Sequence, residues 1–120
     1  MSDSVESPTT RFELDAPAAH RIVGAVLGTQ GVAKLHAGTF GEVSLLYPGE
    51  RIAGLKRPNP RDDRHLELHI VFDVAQQVPV KDVAEGARAA ALDACSELSR
   101  VDVVVADAIS SAFNTNKELA

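Results

Sequence analysis

Apolar residues recur along this chain with two different periods, and the switches between them mark out its elements. Over residues 16–27, Ala19, Ile22, Val23, Val26 and Leu27 fall three and four apart, which places them on one helical face. Asp15 offers a side-chain acceptor for the helix start. Pro17 lies in the first turn, where its missing N–H costs nothing. Gly28 is placed to end the helix by taking a left-handed conformation. The period then shortens. Residues 32–35 and 42–47 read as short strands, and Pro48-Gly49 as a turn whose second central residue takes positive φ. Residues 51–57 return as a hairpin partner. Residues 58–63 form a polar, proline-punctuated loop. The clearest alternation covers residues 66–74, where Leu66, Leu68, Ile70, Phe72 and Val74 interleave with His65, Glu67, His69, Val71 and Asp73. After Pro79 the helical period resumes over residues 80–98, on Val80, Ala84, Ala87, Ala91, Ala94 and Leu98, with Val83 and Cys95 widening the stripe. A valine-rich strand, 100–106, closes the pattern.

These elements predict an α/β fold of order α-β-β-β-α-β: a two-layer sandwich with two helices packed on one face of a mixed sheet. The polar stretch 1–14 reads as a mobile N-terminal arm, 15–110 as the domain, and 111–120 as a C-terminal tail.

Composition narrows the partners. The 120 residues allow one domain, and the net charge of −5 argues against a dedicated nucleic-acid binder, which needs clustered excess Lys and Arg. The single cysteine, Cys95, excludes an internal disulfide and reads as a small core residue. No apolar run is long enough to span a bilayer, and the N-terminus lacks a basic start followed by an apolar stretch. A cytoplasmic location is therefore expected, with no cofactor and no direct membrane insertion.

Three features carry candidate chemistry. His65, Glu67 and His69 project from one strand face at about 7 Å spacing. Two imidazoles and a carboxylate make an acceptable zinc or iron set, although the alternative is an ordinary polar sheet face. Gly28-Thr29-Gln30-Gly31 is similar to the GxxG loop of KH nucleic-acid-binding domains, but lacks the usual basic residues, which favours a plain helix end followed by a turn. Arg51, Lys56, Arg57, Arg61 and Arg64 form a basic cluster in an otherwise acidic chain, suited to an acidic partner or an anionic membrane surface. No nucleophile elbow, phosphate loop or acid/base pair is recognisable, so no catalytic residue is assigned.

The run Gly31-Val32-Ala33-Lys34-Leu35-His36-Ala37-Gly38 follows a helix and precedes the strand ending at Tyr47. With the strand through Leu68 and Phe72, the helix opening Val78-Pro79-Val80 and the closing Val101-Asp102-Val103-Val104-Val105, it resembles the ordered motifs of the alkaline-shock (envelope stress response) proteins, including their short actinobacterial members. The resemblance covers residues 16–109. It departs where family members often carry Tyr-Gly and this chain has Asp73-Val74, and in the basic, proline-rich stretch 56–64. It implies a non-enzymatic protein of cell-envelope homeostasis, a protein partner that is membrane-anchored in some relatives, and self-association in others.

The candidate contact residues are the turn Gly38, Thr39, Phe40 and Gly41 together with Arg51, Lys56, Arg57, Arg61 and Arg64. An aromatic between glycines is exposed there unless it folds back on the core.

Overall fold

The computed structural model describes residues 12–112; the rest of the expected arm (1–11) and tail (113–120) lie outside the described residues. Helix α1 spans Ala16–Leu27. Strands β1 (Val32–Leu35), β2 (Ser44–Tyr47), β3 (Glu50–Ala53), β4 (Leu55–Lys56) and β5 (His65–Asp73) follow, then a 3-10 turn at Val74–Gln76, helix α2 (Val80–Ala94) and strand β6 (Arg100–Ile109). The two helices and the four strands of the main sheet give the expected α-β-β-β-α-β order, as α1-β1-β4-β5-α2-β6. The β2–β3 hairpin is a separate antiparallel unit inserted between β1 and β4.

Strand β5 is the centre of the sheet. Strand β6 runs parallel to it over its full length, from His65↔Arg100 to Asp73↔Ile109. Antiparallel β4 (Leu55↔Leu68) and β1 (Leu35↔Ile70) lie end to end along its other edge. Parallel neighbours need a long crossover, and α2 supplies it. Leu66, Leu68 and Ile70 point to the helix layer and are fully buried against Ile22 and Val26 of α1 and Val83, Ala87 and Ala91 of α2. Small alanines on α2 let that helix lie close on the sheet.

The start of α1 matches the sequence reading: Asp15 Oδ1 accepts from the Ala18 N–H at 3.0 Å. The end does not. Gly28 is right-handed (φ −80), and the positive φ falls at Gly31 (φ 93), because the chain turns once more before β1. The expected single strand over 51–57 is broken by Gly54, with φ 91 and a hypothetical Cβ 2.4 Å from the Leu35 Cβ. Only glycine lets the chain leave the hairpin there and join the sheet, its N–H donating to the Val43 carbonyl and its carbonyl accepting from His69. Helix α2 stops at Ala94 rather than 98. Cys95 turns extended, and Leu98 reaches the core through a turn onto the Cys95 carbonyl. Val80, assigned to the buried stripe, is exposed, and Val83 takes its place.

Packing against the core also extends to residues before Asp15. The Leu14 N–H donates to Asp63 Oδ2 (2.7 Å), the Tyr47 hydroxyl donates to the Leu14 carbonyl (2.8 Å), and Leu14 is buried. Residues 12–14, expected at the end of the N-terminal arm, are thus packed into the fold.

Truncating the centre of β5 tests this account. Leu68→Ala is expected to cost about 2–5 kcal/mol in urea unfolding, because the leucine is sealed between β5's neighbours and both helices. A cost below about 1 kcal/mol would contradict that packing.

Candidate protein-contact surface

The turn between β1 and β2 is a closed loop. Its neck is the hydrogen bond from the Val43 N–H to the Ala37 carbonyl (2.7 Å), and an inner turn joins the Gly41 N–H to the Gly38 carbonyl. Glu42 organises its tip: Oε1 accepts from the Phe40 N–H at 2.9 Å. Gly38 (φ 88) and Gly41 (φ 78) supply the left-handed backbone, and a Cβ at Gly38 would run into the Glu42 carboxylate. The Glu42 pKa is lowered, first by its own backbone N–H and then by that of Phe40. The result is a fixed display of Phe40, whose side chain does not fold back onto the core. It is 90% exposed.

This loop rests on the outer side of the hairpin. Ser44 Oγ donates to the Gly41 carbonyl (3.0 Å), and a Cβ on Gly41 would lie 3.1 Å from Arg51 Nη1. Arg51 pairs across the hairpin with Leu46, which is 71% exposed. A groove of about 230 Å³ runs from Ser44 and Leu46 to Lys56, Arg57 and Pro60. The two stretches singled out in the sequence, 38–41 and the start of the basic cluster, are thus one surface.

The basic cluster itself divides. Arg57 Nη1 donates to Asp63 Oδ1 at 2.9 Å. Arg64 is structural: its Nη1 donates to the Glu97 carbonyl (2.9 Å), and its guanidinium lies 5.5 Å from the centroid of the Phe12 ring. Arg51, Lys56 and Arg61 have no side-chain hydrogen-bond or ion-pair partner among the described residues. Arg57 and Arg61 also flank a broader cleft of about 660 Å³ between segment 12–15 and the 57–63 loop.

The other candidates are taken up by the fold. His65 Nε2 sits 2.8 Å from Asp102 Oδ2, and His69 Nε2 sits 2.8 Å from Glu67 Oε1. The residues thus form two separate pairs, and among the described residues no group of three or more His, Cys, Asp or Glu is placed to hold a metal. The His65 hydrogen bond leads the lowering of the Asp102 pKa. In the 28–31 loop Gly31 is buried and Thr29 half-buried, whereas Gly28 and Gln30 are exposed. The Gly31 N–H donates to Gln76 Oε1 (2.7 Å), a Cβ on Gly31 would strike Val83, and Thr29 lies against Gly86. Gly31 thus serves close contact with α2, while Gly28 meets only the backbone of α1. Cys95 is buried, and burial raises its pKa, as for a core thiol. Asp73 is the one buried charged residue described; its pKa is held down first by the Ser111 N–H, with Gln76 and Ala75 also donating to it.

Sequence reasoning missed Leu46 and Glu42. Two adjacent leucines give no sign of which faces out until the hairpin register is fixed. An acidic residue directly after a Gly-x-x-Gly turn is the available signal for the second. In comparisons with family models, curated proteins and solved structures, nothing matches this chain. Among the described residues, no helix is long and apolar enough to cross a membrane.

The loop's dependence on a carboxylate gives it a pH signature. Folding lowers the Glu42 pKa, so its stabilisation is present above the unfolded value and is lost as pH falls through the folded one. The Phe40 amide resonance should follow that titration with a midpoint below the usual 4.5. In Glu42→Gln this transition should disappear; a Phe40 amide insensitive to pH in the parent protein would rule out the proposed tip.

Proposed function

We propose that this chain is a non-enzymatic adaptor or assembly subunit that works by protein–protein contact, in cell-envelope stress response and homeostasis at the cytoplasmic side of the membrane. The observation that carries the contact role is Phe40, an aromatic ring held in solvent by a hydrogen-bonded loop. Keeping a large apolar side chain exposed forgoes about 1.5–3 kcal/mol of burial, and a partner's surface recovers it. Leu46 and the cations Arg51 and Lys56, which have no ion-pair partner among the described residues, complete the pattern of an apolar centre with a charged rim. That rim suits an acidic protein partner.

The non-enzymatic part is supported by how the polar residues are used. The histidines of β5 are each engaged with a carboxylate, and the buried Asp73 caps the turn after β5. The envelope role rests on the ordered motifs at 31–38, 68–72, 78–80 and 101–105, which resemble the alkaline-shock proteins. Recruitment through a membrane-anchored partner follows from the same resemblance.

Affinity purification from the native cell with membranes retained is the test. The wild-type protein should recover a defined partner, and Phe40→Ser combined with Leu46→Ser should reduce its recovery at least about tenfold without lowering the melting temperature. Equal recovery with the double variant would overturn the assignment of this surface.

A further inference from the structure

Strand β6 is long, and among the described residues it is paired on one side only. Its whole length runs beside β5, and no described strand lies on its far edge. From Val104 to Ala108 every residue is exposed, including Val104 and Val105 at 37% each. It contains neither proline nor lysine, the usual devices that blunt an open edge.

The register adds something the sequence hides. Arg100, Asp102 and Val104 pair with His65, Glu67 and His69 and so share the outer face of the sheet. By simple alternation Asp107 would fall on the helix face. The pairing, however, passes from Ile70↔Val105 directly to Val71↔Asp107, so Ala106 is skipped and Asp107 joins the outer face. Along that face β6 therefore reads Arg100, Asp102, Val104, Asp107.

We propose that β6 is a homodimerisation edge, pairing antiparallel with β6 of a second copy about a two-fold axis at Val103. In that register Arg100 lies opposite the partner's Asp107, and by symmetry the ion pair forms twice. Asp102 lies opposite the partner's Val104. On the helix face Val103 meets its own copy, and Val101 meets the partner's Val105. One step in either direction sets Asp102 against Asp102 or Asp107 of the other copy, which like-charge repulsion disfavours. The charges thus select a second copy of this chain and one register. Arg100 is free to make the contact: its side chain is 69% exposed, and its present partner is Asp102 at 3.2 Å. This edge does not include Phe40 or the hairpin, so it stands independently of the adaptor reading.

Sedimentation of the full chain from about 10 µM to about 1 mM tests the proposal. The wild type should pass from monomer to dimer within that range. Arg100→Glu alone and Asp107→Arg alone should each weaken dimerisation about tenfold or more, since each sets two like-charge pairs across the axis. The double reversal, Arg100→Glu with Asp107→Arg, should restore it. Melting curves followed by circular dichroism identify a variant that fails to fold, and the double variant supplies the answer if one single variant does. A wild type that stays monomeric throughout, single variants that dimerise as well as the wild type, or a folded double variant as weak as the singles would each overturn the proposal.

Discussion

The structure depends on burying one strand completely. Leu66, Leu68 and Ile70 of β5 face two helices, while both edges of the strand are occupied along most of its length. Three fully buried aliphatic side chains contribute about 1.5–3 kcal/mol each before cavity effects. Meeting that demand fixes the rest. The parallel neighbour β6 requires the α2 crossover, α2 must be alanine-rich to approach the sheet, and α1 closes the remaining side of the core. Beside β6, the other edge is shared by two short strands, so the chain between them is free to bulge outward. The hairpin and the Phe40 loop occupy that excursion.

Function follows from this division. The helix layer and the inner sheet face hold the fold. The outer face of β5 spends its polar groups on pairs, His65 with Asp102 and His69 with Glu67. The groups left over lie at two peripheral places: the apolar and cationic surface around Phe40, Leu46 and Arg51, and the open edge of β6. Each is carried by a hydrogen-bonded element, the loop closed by Glu42 and the strand paired with β5.

Much of the fold was legible in the sequence because its cues are local. Asp15, Pro17 and a 3.6-residue period fix α1 without reference to anything distant. The alternation through β5 is clear because one face meets helices and the other carries the half-buried polar residues His65, Glu67 and His69. What was hidden depends on contacts far apart in sequence. Gly54 breaks a strand only because Leu35 lies against it. Helix α2 ends early because the Ser99 and Arg100 N–H groups are drawn to the Arg64 carbonyl. The skipped Ala106 is defined by its register with β5. The candidate site was half legible: Phe40 between glycines and the basic cluster both stood out, whereas their meeting at Gly41 and Arg51 needed the fold. The removal of Arg64 from the cluster followed from Phe12 and Glu97, neither adjacent to it in sequence.

The central claim is that Phe40 is presented to a partner. A photo-reactive benzoylphenylalanine placed at position 40, irradiated in the native cell, reads that contact directly. The account predicts one discrete cross-linked species from position 40 and none from the same group at Glu85, on the exposed side of α2. No cross-link at position 40, or the same products from both positions, would contradict it.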